Sequence, residues 1–164
     1  MSDFDIKFVK CHPEAKTPVK AHDGDAAFDV FATECKRIAP LHREIIGTGI
    51  KMSIPKGYYG RIADRSGLAI KSGLTILGGV VDSTYTGEIK VIIHNTNFHL
   101  DDLRDFIKPS AYSSLFGQRG SYLINPGDKI AQIIIERCYS PNFVEVDSLE
   151  NTDRGETGFG ASGT

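Results

Sequence analysis

Asn125-Pro126-Gly127-Asp128-Lys129-Ile130-Ala131-Gln132-Ile133-Ile134-Ile135-Glu136-Arg137-Cys138 opens as a turn and continues as a β-branched run. Asn, Pro, Gly and Asp together are turn chemistry. Isoleucines in close succession favour a pleated, well-packed strand. Gly87 to His94 has the same apolar, β-branched character. Further out, Phe4, Ile6 and Phe8 alternate with Asp5 and Lys7, which predicts a half-buried strand. Ala27 to Phe31 predicts a second short strand. Glu44 to Ile54 predicts a longer one, ended by Pro55-Lys56-Gly57, with Tyr58 to Ile62 as the return strand of a hairpin. Phe143 to Val146 predicts a last short strand. Helical pattern is scarce. Ser66 to Ser72 fits one short turn of helix, and the segment 98–120 reads as an excursion from the β core with one short helix. The expectation is an all-β sandwich, jelly roll or small barrel.

The rest of the composition narrows the function. A length of 164 residues suits one domain. Lys+Arg 19 against Asp+Glu 21 gives a net charge of −2, which argues against a direct nucleic-acid coat, because phosphate binding shows as a basic excess. No apolar run approaches the roughly 20 residues that span a bilayer, and Met1-Ser2-Asp3-Phe4-Asp5-Ile6-Lys7 has no signal-peptide core. The expectation is a soluble intracellular protein, cytoplasmic or nuclear, with no membrane partner. Cys11, Cys35 and Cys138 are far apart and odd in number, so they are expected as reduced thiols. The histidines show no metal-ligand spacing.

Two segments carry chemistry. Arg65-Ser66-Gly67 follows a predicted strand and offers a guanidinium, a hydroxyl and backbone N–H groups to a phosphate, although ordinary loops also contain Ser-Gly. Gly78-Gly79-Val80-Val81-Asp82-Ser83-Thr84-Tyr85-Thr86-Gly87 is a glycine-bounded hairpin candidate with one acid and one aromatic. Its carboxylate either caps the turn or orients and deprotonates a water. Residues 154–164 are glycine-rich around Phe159. They fit either a frayed terminus or a lid, with Arg154 for phosphate and Phe159 for a base.

Taken in order, five segments resemble the motifs of the homotrimeric dUTPases (dUTP diphosphatases). They are Asp25-Ala26-Ala27-Phe28-Asp29-Val30, Tyr59 through Ala69, Gly79 through Gly87, Gly127-Asp128-Lys129-Ile130-Ala131-Gln132, and Arg154 through Gly163. The stretch from Tyr139 to Arg154 is most similar to the eukaryotic and large-DNA-virus branch. The resemblance covers the chain from about residue 5 to 164, apart from the excursion at 98–120.

The resemblance implies a distorted β jelly roll over residues 1–153 and a closing tail at 154–164. It implies a homotrimer with active sites at subunit junctions, and Mg²⁺-dependent hydrolysis of dUTP to dUMP and pyrophosphate. That reaction keeps uracil out of DNA and supplies dUMP for dTMP synthesis. By the same resemblance Asp82 activates the water that attacks the α-phosphorus and meets the sugar 3′-hydroxyl. Tyr85 packs on the sugar, and Gly79, Val80 and Val81 read the uracil edge. Arg65, Ser66, Gly67 and Gln132 take phosphates, the first three in a neighbouring subunit's site. Asp29 reaches Mg²⁺ through water. Arg154 and Ser162 reach the γ-phosphate, and Phe159 with Gly160 closes over the uracil.

Four positions depart from the family pattern. Asp64 stands for the usual proline, Ala27 for glycine, Thr86 for arginine and Ala161 for a hydroxyl residue. Asp64 places an extra negative charge beside a phosphate loop. Two rival readings remain. A dCTP deaminase would carry a catalytic glutamate where this chain has Ile92. A nucleotide-responsive regulatory protein would act on a protein partner through 98–120, where the acidic Asp101-Asp102-Leu103-Arg104-Asp105-Phe106 lies.

Overall fold

The computed structural model of the chain describes residues 4–98, 120–153 and 155. Among these the strands are β1 (Lys7–Lys10), β2 (Phe28–Phe31), β3 (Lys36–Ile38), β4 (Arg43–Gly47), β5 (Ile50–Ser53) and β6 (Tyr58–Ala63). The helix α1 (Ser66–Ser72) follows. Then come β7 (Leu74–Leu77), β8 (Val80–Val81), β9 (Lys90–Asn95), β10 (Tyr122–Ile124) and β11 (Lys129–Arg137). All pairings are antiparallel. The main sheet has the order β2-β11-β6-β8 and faces a second of order β4-β9-β7 across one core, with the pairs β1-β5 and β10-β3 beside them. This is the expected all-β, jelly-roll-like architecture.

Isoleucine makes the core. Ile38, Ile46, Ile50, Ile93, Ile124, Ile130 and Ile133 are all essentially buried, and they come from strands of all four sheets. Strand parity explains most of this. Along β9, Val91, Ile93 and Asn95 point inward while Lys90, Ile92 and His94 alternate outward. On β11 the parity breaks, because Ile130 and Ala131 are both buried. The cause is a register shift against β2 between Lys129 and Ala131, a bulge that turns one extra residue inward. Gly60 of β6 permits close packing between strands. A Cβ there would sit 3.1 Å from the Ile133 and Ile54 Cδ1 atoms.

Asn95 is wholly buried and ties several segments together. Its amide donates to the carbonyls of Ile38 at 3.0 Å and Gly120 at 2.8 Å, while its Oδ1 accepts from the Asn97 backbone and side-chain nitrogens. It therefore binds the chain on both sides of 99–119. The helix expected within 98–120, and the acidic run there, lie outside the described residues, as do Arg154, Phe159, Gly160, Ala161 and Ser162.

Four local expectations need correction. The predicted hairpin across Pro55-Lys56-Gly57 does not form: the turn is there, but β5 pairs with β1 and β6 pairs with β11 and β8. Gly49, at φ +65°, splits the long stretch 44–54 into β4 and β5 and sends them to different sheets. Phe143 to Val146 is no strand. It finds no partner among the described residues, and Phe143 is 98% exposed. The alternation at Phe4, Ile6 and Phe8 holds only in part: Ile6 packs half-buried on the core, but β1 itself begins at Lys7 and is exposed along its length. The three cysteines are free and exposed. No helix among the described residues is long and apolar enough to cross a membrane.

Candidate active site

Sheet register assembles the first cluster. Gln132 on β11 stands opposite Asp29 on β2 on one side and Ala63 on β6 on the other. Arg65 leaves the end of β6 two residues later, which brings it to the same place. Its Nε donates to Asp29 Oδ1 at 3.1 Å, and Gln132 Nε2 donates to that oxygen at 3.3 Å. The other oxygen, Oδ2, takes Lys129 Nζ at 2.7 Å. Arg65 Nη1 also donates to the Lys129 carbonyl at 3.1 Å, which fixes the guanidinium plane.

Lys129 had no role in the sequence reading. Three residues from Gln132 in a regular strand, it would face the opposite side of the sheet. The bulge changes that. Lys129 pairs with Phe31 and Gln132 with Asp29, and Phe31 and Asp29 share one face of β2. A register shift of this kind leaves no mark in composition.

Asp29 is only 2% exposed. Burial pushes its carboxyl up. The Lys129 hydrogen bond, the Arg65 charge, the Gln132 hydrogen bond and the Lys129 charge together outweigh burial and hold it below the ordinary aspartate value. Two cations against one carboxylate leave one positive charge in excess at a partly open place, since Arg65 and Lys129 are 29% and 39% exposed. That is the electrostatics of an anion site. Next to it, Gly67 has no conformational need to be glycine. Its φ is not positive, and a Cβ there would meet nothing within 4 Å. Ser66 and Gly67 are both exposed.

The second cluster lies on the far side of the same sheet. Val80 and Val81 form β8, opposite Arg61 and Gly60. Here the glycine is required: Gly79 has φ +94°, and a Cβ would fall 2.8 Å from the Ile62 carbonyl oxygen. The Gly79 carbonyl accepts the Ile62 N–H at 2.7 Å. β8 is an edge strand, so its outer row of backbone groups has no strand partner among the described residues. The expected hairpin over 79–87 reduces to this short strand and a turn, closed by Tyr85 N–H on the Asp82 carbonyl at 3.0 Å.

Asp82 is exposed and lines a cleft of about 540 Å³ with Lys56, Tyr59, Ser83, Thr84 and Cys138. Tyr85, at the end of the turn, is held by its hydroxyl donating to the Glu88 carbonyl at 2.9 Å, and its ring crowds Gly87. Tyr59, on the cleft wall, donates to Glu136. That carboxylate also takes Arg61 through Nε at 2.9 Å and Nη2 at 2.7 Å. The Arg61 hydrogen bonds first, and Tyr59 second, hold Glu136 below its ordinary value, and Glu136 in turn pushes the Tyr59 hydroxyl up.

Asp29, Arg65 and Gln132 therefore meet in one chain, with Lys129 added. Gly79, Val80, Val81, Asp82 and Tyr85 form a separate group. No hydrogen bond or ion pair among the described residues joins the two. Asp29 on β2 and Val80 and Val81 on β8 stand at opposite edges of the main sheet, about 14 Å apart at the usual strand spacing, while Gln132 and Lys129 lie on β11 and Arg65 follows β6, between them. Among the described residues no group of three or more His, Cys, Asp or Glu is placed to hold a metal.

Comparison with known proteins bears on the family and the fold. The dUTPase family model matches residues 13–99 and 116–163, leaving out most of the excursion. The deoxyuridine 5′-triphosphate nucleotidohydrolase of monkeypox virus is 40% identical over 158 residues, covering 96% of this chain and 90% of that protein. The vaccinia virus (strain Copenhagen) protein of the same name is 39% identical, with 96% and 92% covered. Among solved structures, a mutant of the Staphylococcus bacteriophage 80alpha dUTPase with dUpNHpp superposes with a TM-score of 0.82 at 29% identity, covering 98% of this chain and 99% of that one. A mutant dUTPase of the S. aureus phage phi11, described with a structural Mg(II) ion, gives 0.76 at 26% identity, with 90% and 100% covered. The extent of the family match and the identity to the poxvirus proteins place this chain in the dUTPase family.

Proposed function

We propose that this chain hydrolyses dUTP to dUMP and pyrophosphate, at sites that two or more copies of the chain build together. The observation that carries this reading is the separation of the two clusters. An anion site around Arg65 and Lys129 and an acid-bearing turn at Asp82 share no hydrogen bond or ion pair among the described residues. A triphosphate that uses both takes its phosphate contacts from one chain and its base and water activation from another.

Exposed apolar side chains support assembly into the family's homotrimer. Tyr139, Phe143, Val144 and Leu149 are 84%, 98%, 77% and 85% exposed, on a segment that pairs with no strand among the described residues. Such a run in water marks an interaction surface.

In the proposed reaction Asp82 takes a proton from the water that attacks the α-phosphorus, and pyrophosphate leaves. A carboxylate on an exposed turn can accept that proton. Arg65, Lys129, Ser66 and Gln132 hold the phosphates, and their charge offsets the negative charge that develops as the bond breaks. The unpaired outer edge of Gly79, Val80 and Val81 presents backbone groups to the uracil. Cytosine reverses the donor and acceptor pattern and leaves buried groups unpaired, which costs about 1–3 kcal/mol. Overpacking by the thymine methyl costs about as much. Tyr85 lies along the sugar. Arg154, Phe159, Gly160 and Ser162, in the tail 154–164, close over the phosphates and base.

The residues fit Mg²⁺ held through water. A carboxylate has about four acceptor sites, and Asp29 has committed three of them, to Arg65, Gln132 and Lys129. One remains for a metal-bound water, while the substrate phosphates supply the direct oxygen ligands that this hard cation prefers. When bound, Mg²⁺ supplies further charge neutralisation on the triphosphate.

The test is pyrophosphate release from dUTP, dTTP, dCTP and UTP with Mg²⁺. Strong preference for dUTP is expected. Equal turnover of all four would remove the base-reading role of 79–81, and no turnover of any would remove the reaction.

A further inference from the structure

The loop Arg65-Ser66-Gly67 opens α1, yet α1 has almost nothing holding it by packing. None of its residues is buried, and Ile70 is 83% exposed. Only Leu68, half-buried, packs on the core. Arg65, at the start of the helix, makes no side-chain capping bond. Hydrophobic burial therefore does not fix where this loop sits.

Polar contacts do: Asp29 and the Lys129 carbonyl hold the Arg65 side chain, and further contacts stand at the two ends of the segment. At the far end, the Gly73 carbonyl accepts the Thr96 N–H at 2.8 Å and hydroxyl at 2.7 Å, and Asn97 Nδ2 donates to the Ser72 carbonyl at 2.7 Å. At the near end stands Asp64. Its Oδ1 accepts the backbone N–H of Ile76 at 2.6 Å, and its Oδ2 accepts the Thr75 hydroxyl at 3.2 Å. Among the described residues β7 is the edge of the sheet β4-β9-β7, so this N–H points away from its partner β9. A carboxylate at the end of one sheet thus grips the free edge of the other, and the loop is strung between them.

We propose that Asp64 is a positioning residue for substrate phosphate binding: its grip on Ile76 and Thr75 sets where Arg65, Ser66 and Gly67 stand. The same grip answers the problem of a negative charge beside a phosphate loop. Both carboxylate oxygens are engaged by donors of β7, so the charge is spent on the staple. Asp64 touches no reacting atom in this account. The proposal rests on the reading of 65–67 as a phosphate loop.

Three variants test it: Asp64→Ala, Asp64→Asn and Thr75→Val. Asparagine keeps an acceptor for the Ile76 N–H, and its amide nitrogen can donate to the Thr75 hydroxyl. Alanine removes both contacts. Thr75→Val removes only the weaker one and covers the case of an Asp64→Ala chain that does not fold. The readouts are KM and kcat for dUTP, the Kd of an imido analogue of dUTP, and hydrogen exchange of the Ile76 amide. Loss of a charge-assisted contact that places the loop predicts a KM and Kd raised about tenfold in Asp64→Ala. With it should go a kcat changed less than threefold, faster exchange at Ile76, and near-complete rescue in Asp64→Asn. Thr75→Val should fall between Asn and the wild type. Unchanged KM and Kd in a folded Asp64→Ala chain overturns the proposal. So does a tighter Kd, which would mean that the loop feels the charge and not the staple, and so does failure of asparagine to rescue. A wild-type chain that binds the analogue but releases no pyrophosphate defeats the hydrolytic reading and leaves this comparison of Kd values intact.

Discussion

Lys129 Nζ reaches Asp29 Oδ2 at 2.7 Å because a bulge in β11 turns the lysine onto the face that Gln132 also uses. One buried carboxylate thereby organises two cations and an amide. It keeps them side by side with an excess of positive charge, and a phosphate chain meets a site whose donors are already aimed.

This arrangement makes stability depend on pH through Asp29. Its folded-state carboxyl lies below the ordinary aspartate value of about 3.8. The stabilisation is therefore fully present above about pH 4 and is lost as pH falls through the lower, folded-state value. Asp29→Asn is expected to cost about 2 kcal/mol near pH 7, in the range for hydrogen bonds to charged groups. The gap should narrow below pH 3.8. Urea unfolding of both proteins from pH 7 to pH 3 reads this, and a gap independent of pH would show that the carboxylate charge does not matter to the fold.

Asp82 should separate binding from turnover. Asp82→Asn keeps the turn and the size of the side chain while removing the base. Turnover is expected to fall on the order of 10²–10⁴-fold, with dUTP-analogue affinity within a few-fold of wild type. A pair of assays, steady-state pyrophosphate release and calorimetric titration, checks both halves. Turnover close to wild type would take Asp82 out of the reaction.

Two glycines should respond in opposite ways. Gly79 sits at φ +94° with a carbonyl oxygen 2.8 Å from any Cβ, so Gly79→Ala is expected to cost about 1–3 kcal/mol of fold stability. A Cβ at Gly67, inside α1, would meet nothing within 4 Å among the described residues, so Gly67→Ala should hold or slightly raise thermal stability and weaken nucleotide binding instead. Thermal melts with and without the dUTP analogue compare them directly. A destabilised Gly67→Ala that binds normally would show that this glycine serves the fold.

The amount of this molecule legible in its sequence follows from what each signal encodes. The isoleucine runs foretold β9 and β11, because β-branching and burial act locally. Turn chemistry foretold Asn125 to Asp128, where the Asp128 N–H returns to the Asn125 carbonyl at 3.1 Å. Ordered motifs foretold that Asp29, Arg65 and Gln132 belong to one function, and register placed them on one carboxylate. Three features were not legible. The partner of β5 depends on Gly49 diverting the chain, which a local hairpin rule does not see. Lys129 depends on a bulge. Asp64 read as a liability beside a phosphate loop, because its engagement by Ile76 and Thr75 comes from an edge strand twelve residues further on. Phe143 to Val146 has strand composition, but a strand also needs a partner edge, and its own chain offers none among the described residues.

The most direct test of a site shared between chains is complementation. Arg65→Ala and Asp82→Asn, each inactive alone, are unfolded, mixed in equal amounts and refolded together, and dUTP hydrolysis is measured. In a cyclic assembly whose sites pair Asp82 of one chain with Arg65 of another, random mixing leaves about a quarter of the sites with both residues intact. Recovery of about a quarter of wild-type activity is the predicted result. A mixture as inactive as its two components would contradict the account, because both residues would then have to come from the same chain.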